Sequence, residues 1–251
     1  MKCCVVVPCY RDADRLGDYL PGLCDALSGF SDVSVLVVDD GSPAAEAAEL
    51  SRVCSAVRAR HRNLIEPLCL ATNVGKGGAI YAGWDAVPHA EWLAFADADG
   101  ATSAGEVLRL LTFAWENGAP FDAVLGSRIK MLGRNVERTF VRHLTGRVYA
   151  TCSSILTGYP VYDSQCGCKL VRGSAYRSIR PLLEETRFAF DMDLISHLLR
   201  AGSPVAEFPI DWIDVPGSKV SVLRDGFRML IALVHLRGRL RKDSRNGGQG
   251  A

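Results

Sequence analysis

The 251-residue chain is long enough for one sizeable α/β core and short for two full domains. Its 48% hydrophobic content and formal charge of +1 exclude a disordered class and a nucleic-acid binder driven by bulk electrostatics. No run approaches the roughly 18 apolar residues of a membrane-spanning helix. The nine cysteines are scattered as buried, reduced thiols would be, without metal-finger spacing.

The chain opens with an apolar run at residues 3–7, ended by Pro8, too short for a signal peptide and predicted as a first strand. Helical periodicity over 14–27 follows, then a strand-like run at 33–38, a helix over 43–59 and a strand-like run at 63–70. A helix over 77–86, a strand at 92–96, a helix over 103–117 and a strand at 123–126 complete the regular half. These strands are short and continuously apolar, as expected when helices cover both faces of a mostly parallel sheet. The second half predicts a helix over 138–156, a strand at 169–171, helices over 174–183 and 190–201, and a strand-like run at 205–213. Residues 222–240 then read as a basic amphipathic helix and 243–251 as a disordered tail. The domain reading is a catalytic unit at 1–220 with that helix, over 221–242, as an appendage.

Ligands of parallel sheets bind beyond the strands' carboxyl ends, and here every such end carries polar residues. Pro8-Cys9-Tyr10-Arg11-Asp12 follows the first strand, Asp39-Asp40-Gly41-Ser42 the second, and Asn73-Val74-Gly75-Lys76-Gly77-Gly78 the third. Asp97-Ala98-Asp99-Gly100 follows the fourth and Ser127-Arg128 the fifth. Five polar segments on one rim make a site.

Alternation along a strand points Asp97 and Asp99 the same way. Two such carboxylates repel unless a cation intervenes, and hard oxygen ligands suit Mg2+ or Mn2+ with diphosphate oxygens completing the shell. Alone, an Asp-x-Asp is equally a solvated turn. Gly75-Lys76-Gly77-Gly78 fails both the Walker and the dinucleotide patterns, which leaves a helix N-terminus with one lysine, Lys76, apt for an anionic donor, or a plain turn. At Asp39-Asp40, capping needs one carboxylate, so the other is expected to be available to a base or ribose.

Taken in order, VPCYRD, VVDDGS, NVGKGGA, ADADGAT, GSR, DSQCGCKL, FAFDMDL and GSK resemble family 2 glycosyltransferases of the GT-A fold. The likeness spans residues 3–220 and is greatest to the dolichyl-phosphate β-glucosyltransferase branch, related to the polyprenyl-phosphate mannose synthases. It implies an α/β GT-A fold: a Rossmann-like, mostly parallel central sheet flanked by helices, here with the C-terminal amphipathic helix. It also implies inverting transfer of a sugar, glucose above all, from a UDP-sugar to a polyprenyl phosphate. By resemblance the nucleotide is held by Pro8, Tyr10, Asp12, Val38 and Asp40, and the sugar nucleotide and metal by Asp97, Ala98 and Asp99. Arg128 and Lys219 would meet the phosphates, Gln165 and Lys169 would lie at the acceptor or sugar pocket, and Asp193 would be the candidate base or, with a lipid-phosphate acceptor, a structural or acceptor-positioning group. Asp191 is either an acceptor-side group or a helix cap.

Three features depart from the pattern. Arg11-Asp12 replaces the usual Asn-Glu, and Ile213-Asp214-Val215-Pro216 lacks the arginine that precedes Gly-Ser-Lys in mannose synthases, as the glucosyl branch also does. The leading membrane helix of the eukaryotic glucosyl enzymes is not seen, so attachment by a span is not expected. Instead, Leu223, Phe227, Leu230, Ile231 and Val234 share one helical face, with Arg224, Arg228, Arg237, Arg239, Arg241 and Lys242 around it. That pattern suits an anionic membrane surface, docking on the core or contact with a partner protein. The expectation is a peripheral enzyme on the cytoplasmic face of a membrane. The five histidines lack paired metal spacing, and the four tryptophans are read as packing residues.

Overall fold

The computed structural model describes residues 2–116, 120–137, 140–215 and 222–247. The strands are β1 (Cys3–Cys9), β2 (Val33–Asp39), β3 (Leu68–Cys69), β4 (Trp92–Ala96), β5 (Ala123–Ser127), β6 (Val136–Glu137), β7 (Cys168–Arg172), β8 (Val205–Pro209) and β9 (Trp212–Ile213). The helices are α1 (Ala13–Leu27), α2 (Ala44–Arg58), α3 (Lys76–Asp85), α4 (Ala104–Glu116), α5 (Phe140–Thr157), α6 (Gly173–Ile179), α7 (Phe190–Arg200) and α8 (Val222–Gly247).

Strand β1 shows how the sheet is made. Its side chains alternate between two cores. Cys3, Val5 and Val7 pack with Leu16, Leu20, Leu50 and Leu110 from α1, α2 and α4. Cys4 and Val6 pack with Ile80, Trp84, Tyr176 and Leu194 from α3, α6 and α7. Apolar residues at every position are therefore what this strand requires. The full order is β3-β2-β1-β4-β7-β5-β8, and β7 alone runs against its neighbours β4 and β5. That reversal carries the segment before β7 to the carboxyl end of β4, where the Asp97 amide donates to the Gly167 carbonyl at 3.0 Å.

Several expected elements are shorter or divided. The run at 63–70 forms only Leu68–Cys69 and a single bridge from Leu64 to Val35, because Pro67 has no amide to donate. The run at 205–213 splits at Asp211. There the Asp211 amide donates to Glu106 at 3.1 Å and its carboxylate accepts from the Asn135 amide at 2.8 Å. Strand β9 is thereby turned away to pair with β6. The helix expected over 174–183 ends at Ile179 and tightens into a 3-10 turn, Arg180–Leu182, that contains Pro181.

Helix α8 runs to Gly247, so the expected tail begins inside it; arginine and lysine at 241–242 are good helix formers. The helix has two apolar faces. Leu233, Leu236 and Leu240 are buried with Tyr149 of α5 and Met192 of α7, and Leu230 packs partly against them. Phe227, Ile231 and Val234 are exposed. Docking on the core and presenting an apolar face outward are thus both satisfied. Among the described residues no helix is long and apolar enough to cross a membrane.

Gly83 of α3 lies against β1 and β2, where a Cβ would come 2.8 Å from Val6 and 2.9 Å from Val38. Replacing Gly83 by alanine is expected to overpack this layer and cost about 1–3 kcal/mol, read from urea unfolding.

Candidate active site

A cavity of about 620 Å³ opens beyond the carboxyl ends of β1, β2 and β4. Pro8, Tyr10, Asp12, Asp40, Lys76, Asp97, Ala98, Asp99, Arg128, Gln165 and Asp191 all line it. Asp12 holds Arg15 through a hydrogen bond from Nε at 3.0 Å, and Arg15 also lines the cavity.

Both aspartates after β2 have backbone partners. Asp39 accepts from the Ser42 amide at 3.0 Å. The Asp40 carboxylate accepts from the Val74 amide at 2.7 Å, the Gly75 amide at 2.9 Å and Asn73 Nδ2 at 2.8 Å. Asp40 therefore shapes the loop that enters α3. At that loop's end Gly75 adopts φ +96°, and a Cβ there would stand 2.7 Å from the Thr186 carbonyl oxygen. Only glycine fits both conditions.

Lys76, the first residue of α3, places its Nζ 2.6 Å from Asp97 Oδ1. Burial works against the Lys76 ammonium, but Asp97 and Asp191 outweigh it and raise its pKa. Asp97 sits directly over Gly167, where a Cβ would lie 2.0 Å from Oδ2. Asp99 accepts from the Ala101 amide at 3.1 Å. Burial, then the neighbouring Asp97 charge, lifts the Asp99 carboxyl above the ordinary range. The Ala101 amide and the Lys76 and Arg15 charges pull the other way.

Arg128 is clamped by Asp163 from the far side of the cavity. Its Nε and Nη2 donate at 2.6 and 2.7 Å, its amide donates at 2.9 Å, and its guanidinium lies 5.3 Å from the Trp212 ring. Glu207 of β8 holds this arrangement by accepting from the Tyr162 and Asp163 amides, both at 2.9 Å, and from Ser127 Oγ at 3.0 Å. Burial alone would raise the Asp163 carboxyl; the Arg128 charge and hydrogen bonds overcome it and bring it down to about 2.

The acceptor-side residues divide. Gln165 faces the cavity with Nε2 3.4 Å from Asp191 Oδ2. Lys169 is wholly buried on β7, donating to the Cys166 carbonyl at 2.7 Å and pairing with Asp191 at 2.5 Å. Asp193 lies outside the cavity lining: it is wholly buried at the junction of α7 and α8. It accepts there from the Glu184 and Glu185 amides at 2.8 and 2.9 Å and from Arg239 at 3.1 Å. Val38 is also wholly buried, in the core against Gly83. Lys219 lies outside the described residues.

Tyr149, Arg187, Phe188, Arg228 and Met229 line the cavity as well, and sequence reasoning did not find them. Arg15 had a signal in its i+3 spacing from Asp12. The others arrive from α5, the loop before α7, and α8, and no local pattern marks them.

A largely parallel sheet with one reversed strand, and an Asp-x-Asp segment facing a rim cavity, define the GT-A class of nucleotide-sugar enzymes. Residues 4–180 match Glycosyl transferase family 2, and the chain belongs to that family: it is a glycosyltransferase. It is 28% identical over 248 residues to a dolichyl-phosphate beta-glucosyltransferase of Saccharomyces cerevisiae, spanning 93% of this chain and 73% of the relative. The human protein of the same description is 29% identical over 233 residues, spanning 86% and 68%. These relatives bear out the likeness to the dolichyl-phosphate glucosyltransferase branch. In fold, the chain is similar to glucosyl-3-phosphoglycerate synthase from Mycobacterium tuberculosis, solved with Mn2+, uridine diphosphate and glucosyl-3-phosphoglycerate. The TM-score is 0.68 at 16% identity, covering 94% of this chain and 79% of that one.

Asp163 has a depressed folded pKa, so its stabilisation is fully present above the unfolded value, 3.8, and is lost as pH falls through about 2. Asp163→Asn removes the charge that Arg128 Nε and Nη2 pair with and is expected to cost about 3–5 kcal/mol at pH 7. Urea titrations of both proteins should show that gap narrowing as pH falls from 3.8 towards 2.

Proposed function

We propose that this cavity binds UDP-glucose with Mg2+ or Mn2+ and transfers glucose, with inversion, to a polyprenyl phosphate of the dolichyl type. The observation that carries the reading is the facing of Asp97 and Asp99 into one rim cavity that also holds Lys76 and Arg128. The donor set suits a hard divalent ion. Two carboxylates supply oxygen ligands, and the missing Cβ at Gly167 leaves room for Asp97 Oδ2 while Lys76 occupies Oδ1. Among the described residues no third carboxylate, histidine or cysteine joins them, so diphosphate and water oxygens would complete the shell. When bound, the ion would offset the charge gathering on the departing diphosphate.

The chain's own groups do the rest. Pro8, Tyr10 and Asp12 line the base and ribose end, and Lys76 and Arg128 bring positive charge towards the diphosphate. In the transfer, an acceptor phosphate oxygen forms a bond to the anomeric carbon as the bond to the UDP oxygen breaks. A phosphate monoester is largely dianionic near neutral pH, with a second pKa of about 6, and needs no base to deliver a proton. The burial of Asp193 away from the cavity supports this over a hydroxyl acceptor, which would need one. Gln165 and Asp191 are then positioned for sugar or acceptor contacts, with Lys169 neutralising Asp191 from behind.

A lipid acceptor favours a peripheral position at a membrane surface, proposed here as the cytoplasmic face. Exposed Phe227, Ile231 and Val234 on α8, with Leu144, Val148 and Ile155 on α5, offer apolar side chains to it. Radiolabelled UDP-glucose and polyprenyl phosphate should give an acid-labile glycolipid in a Mn2+-dependent reaction. Asp99→Asn should lower turnover by at least about 10²-fold with the fold intact by circular dichroism. Wild-type turnover in that variant would refute the ion assignment. Transfer to a soluble hydroxyl acceptor in preference to the lipid would refute the acceptor.

A further inference from the structure

Asp193 is an aspartate without exposure whose two oxygens are both committed. Oδ2 accepts from the Glu184 and Glu185 amides. Oδ1 lies 3.1 Å from Arg239 Nη2 and 3.2 Å from His197 Nδ1. Arg239 comes from α8 and also pairs with Glu184 at 2.7 Å. Holding a helix in place does not require buried charge, since well-packed apolar side chains do it at lower desolvation cost. What a polar cluster adds is a fixed geometry for the groups it touches.

Those groups lead to the donor end of the cavity. The segment that Asp193 holds continues into Thr186, whose carbonyl accepts from the Gly78 amide at 2.8 Å in the first turn of α3. A Cβ at Gly75 would meet that same carbonyl at 2.7 Å, and one at Gly77 would meet Phe190 at 2.3 Å. Residues 186–190 therefore press directly on the turn that aims Lys76 at Asp97, and Arg187 and Phe188 wall the cavity themselves. Helix α8 reaches the cavity a second time through Gly226, Arg228 and Met229.

We infer that Arg239 and Asp193 are positioning residues that tie the docking of α8 to the shape of the donor site, through residues 184–188 and the Gly75–Gly78 turn. Asp193 acts here through the backbone it holds and not as a base. The inference rests on the reading of the cavity as a nucleotide-sugar site, and on contacts that stand without it. When α8 sits on its surface, Arg239 reaches Asp193 and the Lys76 turn is fixed; when α8 lifts, the segment at 184–188 loosens and the turn follows.

Hydrogen–deuterium exchange on the full chain tests the contacts without any ligand. In Arg239→Ala the Glu184, Glu185 and Gly78 amides should exchange about tenfold faster or more. Arg239→Lys, which keeps the charge and loses the fork, should fall between. Should the alanine variant fail to fold, the lysine variant and Asp193→Asn read the same amides. Kinetics on the folded variants should then show the KM for UDP-glucose raised about tenfold with kcat within about threefold of the parent. An arginine that merely holds the helix would lower kcat through lost active protein and leave KM alone. Unchanged exchange at Gly78, or an unchanged KM, overturns the inference. A parent protein that never turns over UDP-glucose overturns the proposed reaction instead, and the exchange at Gly78 still decides the coupling.

Discussion

The Asp97 carboxylate occupies a space that exists only because residue 167 has no side chain. The end of β4, and the place of Lys76 beside it, are built on that close approach. The reversed strand β7 must begin beside the end of β4, so that the Gly167 carbonyl can take the Asp97 amide and the missing Cβ can make room for the carboxylate. A parallel strand in the same position would instead end at this edge and bring its following loop there, not the residues that enter the strand. The one reversed strand of the sheet thus brings the entry of β7, rather than the exit of a strand, against a charged group at the ligand edge.

Charge at this edge is settled in pairs before a ligand arrives. Lys76 pairs with Asp97, Arg128 with Asp163, and Lys169 with Asp191. A buried pair is not a strong source of stability, because desolvation consumes much of the attraction. Its value in a transferase is that the dipoles and charges already point where negative charge will develop, with little to reorganise. The pairs differ in depth. Lys169 is wholly buried and reaches the cavity only through Asp191, whose carboxyl burial raises and the Lys169 charge draws back down. Lys76 and Arg128 line the cavity, where on the proposed reading they face the diphosphate.

The strand pattern and the polar strand ends were legible because each rests on local chemistry: continuous apolar runs for a two-sided sheet, and carboxylates where those runs stop. The same logic led to Asp97, Asp99 and Lys76. It stops short where one residue does two jobs at a distance. Asp40 reads as a group available to a ligand, yet its oxygens hold Asn73, Val74 and Gly75, some 30 positions later in the chain. Asp193 sits in a run, Phe190-Asp191-Met192-Asp193, that invites two catalytic carboxylates. On a helix the two lie about 200° apart around the axis, so one faces the cavity and the other faces α8. Arg128 was found, but its partner Asp163 was not, since nothing in the sequence shows that a loop 35 residues later returns to it.

Helix α8 joins these themes, because its two apolar faces serve different surroundings. The inner face, Leu233, Leu236 and Leu240, packs into the folded core against Tyr149 and Met192. The outer face begins at Phe227, which lies between Gly226 and Arg228, both of them cavity residues. On the proposed reading, an apolar surface that takes up Phe227 is therefore brought to the mouth of the cavity within one turn of helix. The phosphate of a lipid acceptor resides at headgroup level, while its chain stays in the hydrocarbon layer below. A cavity whose wall includes Arg228 meets such a phosphate without drawing the chain out of the membrane, and burial of Phe227 supplies the depth at which the two coincide.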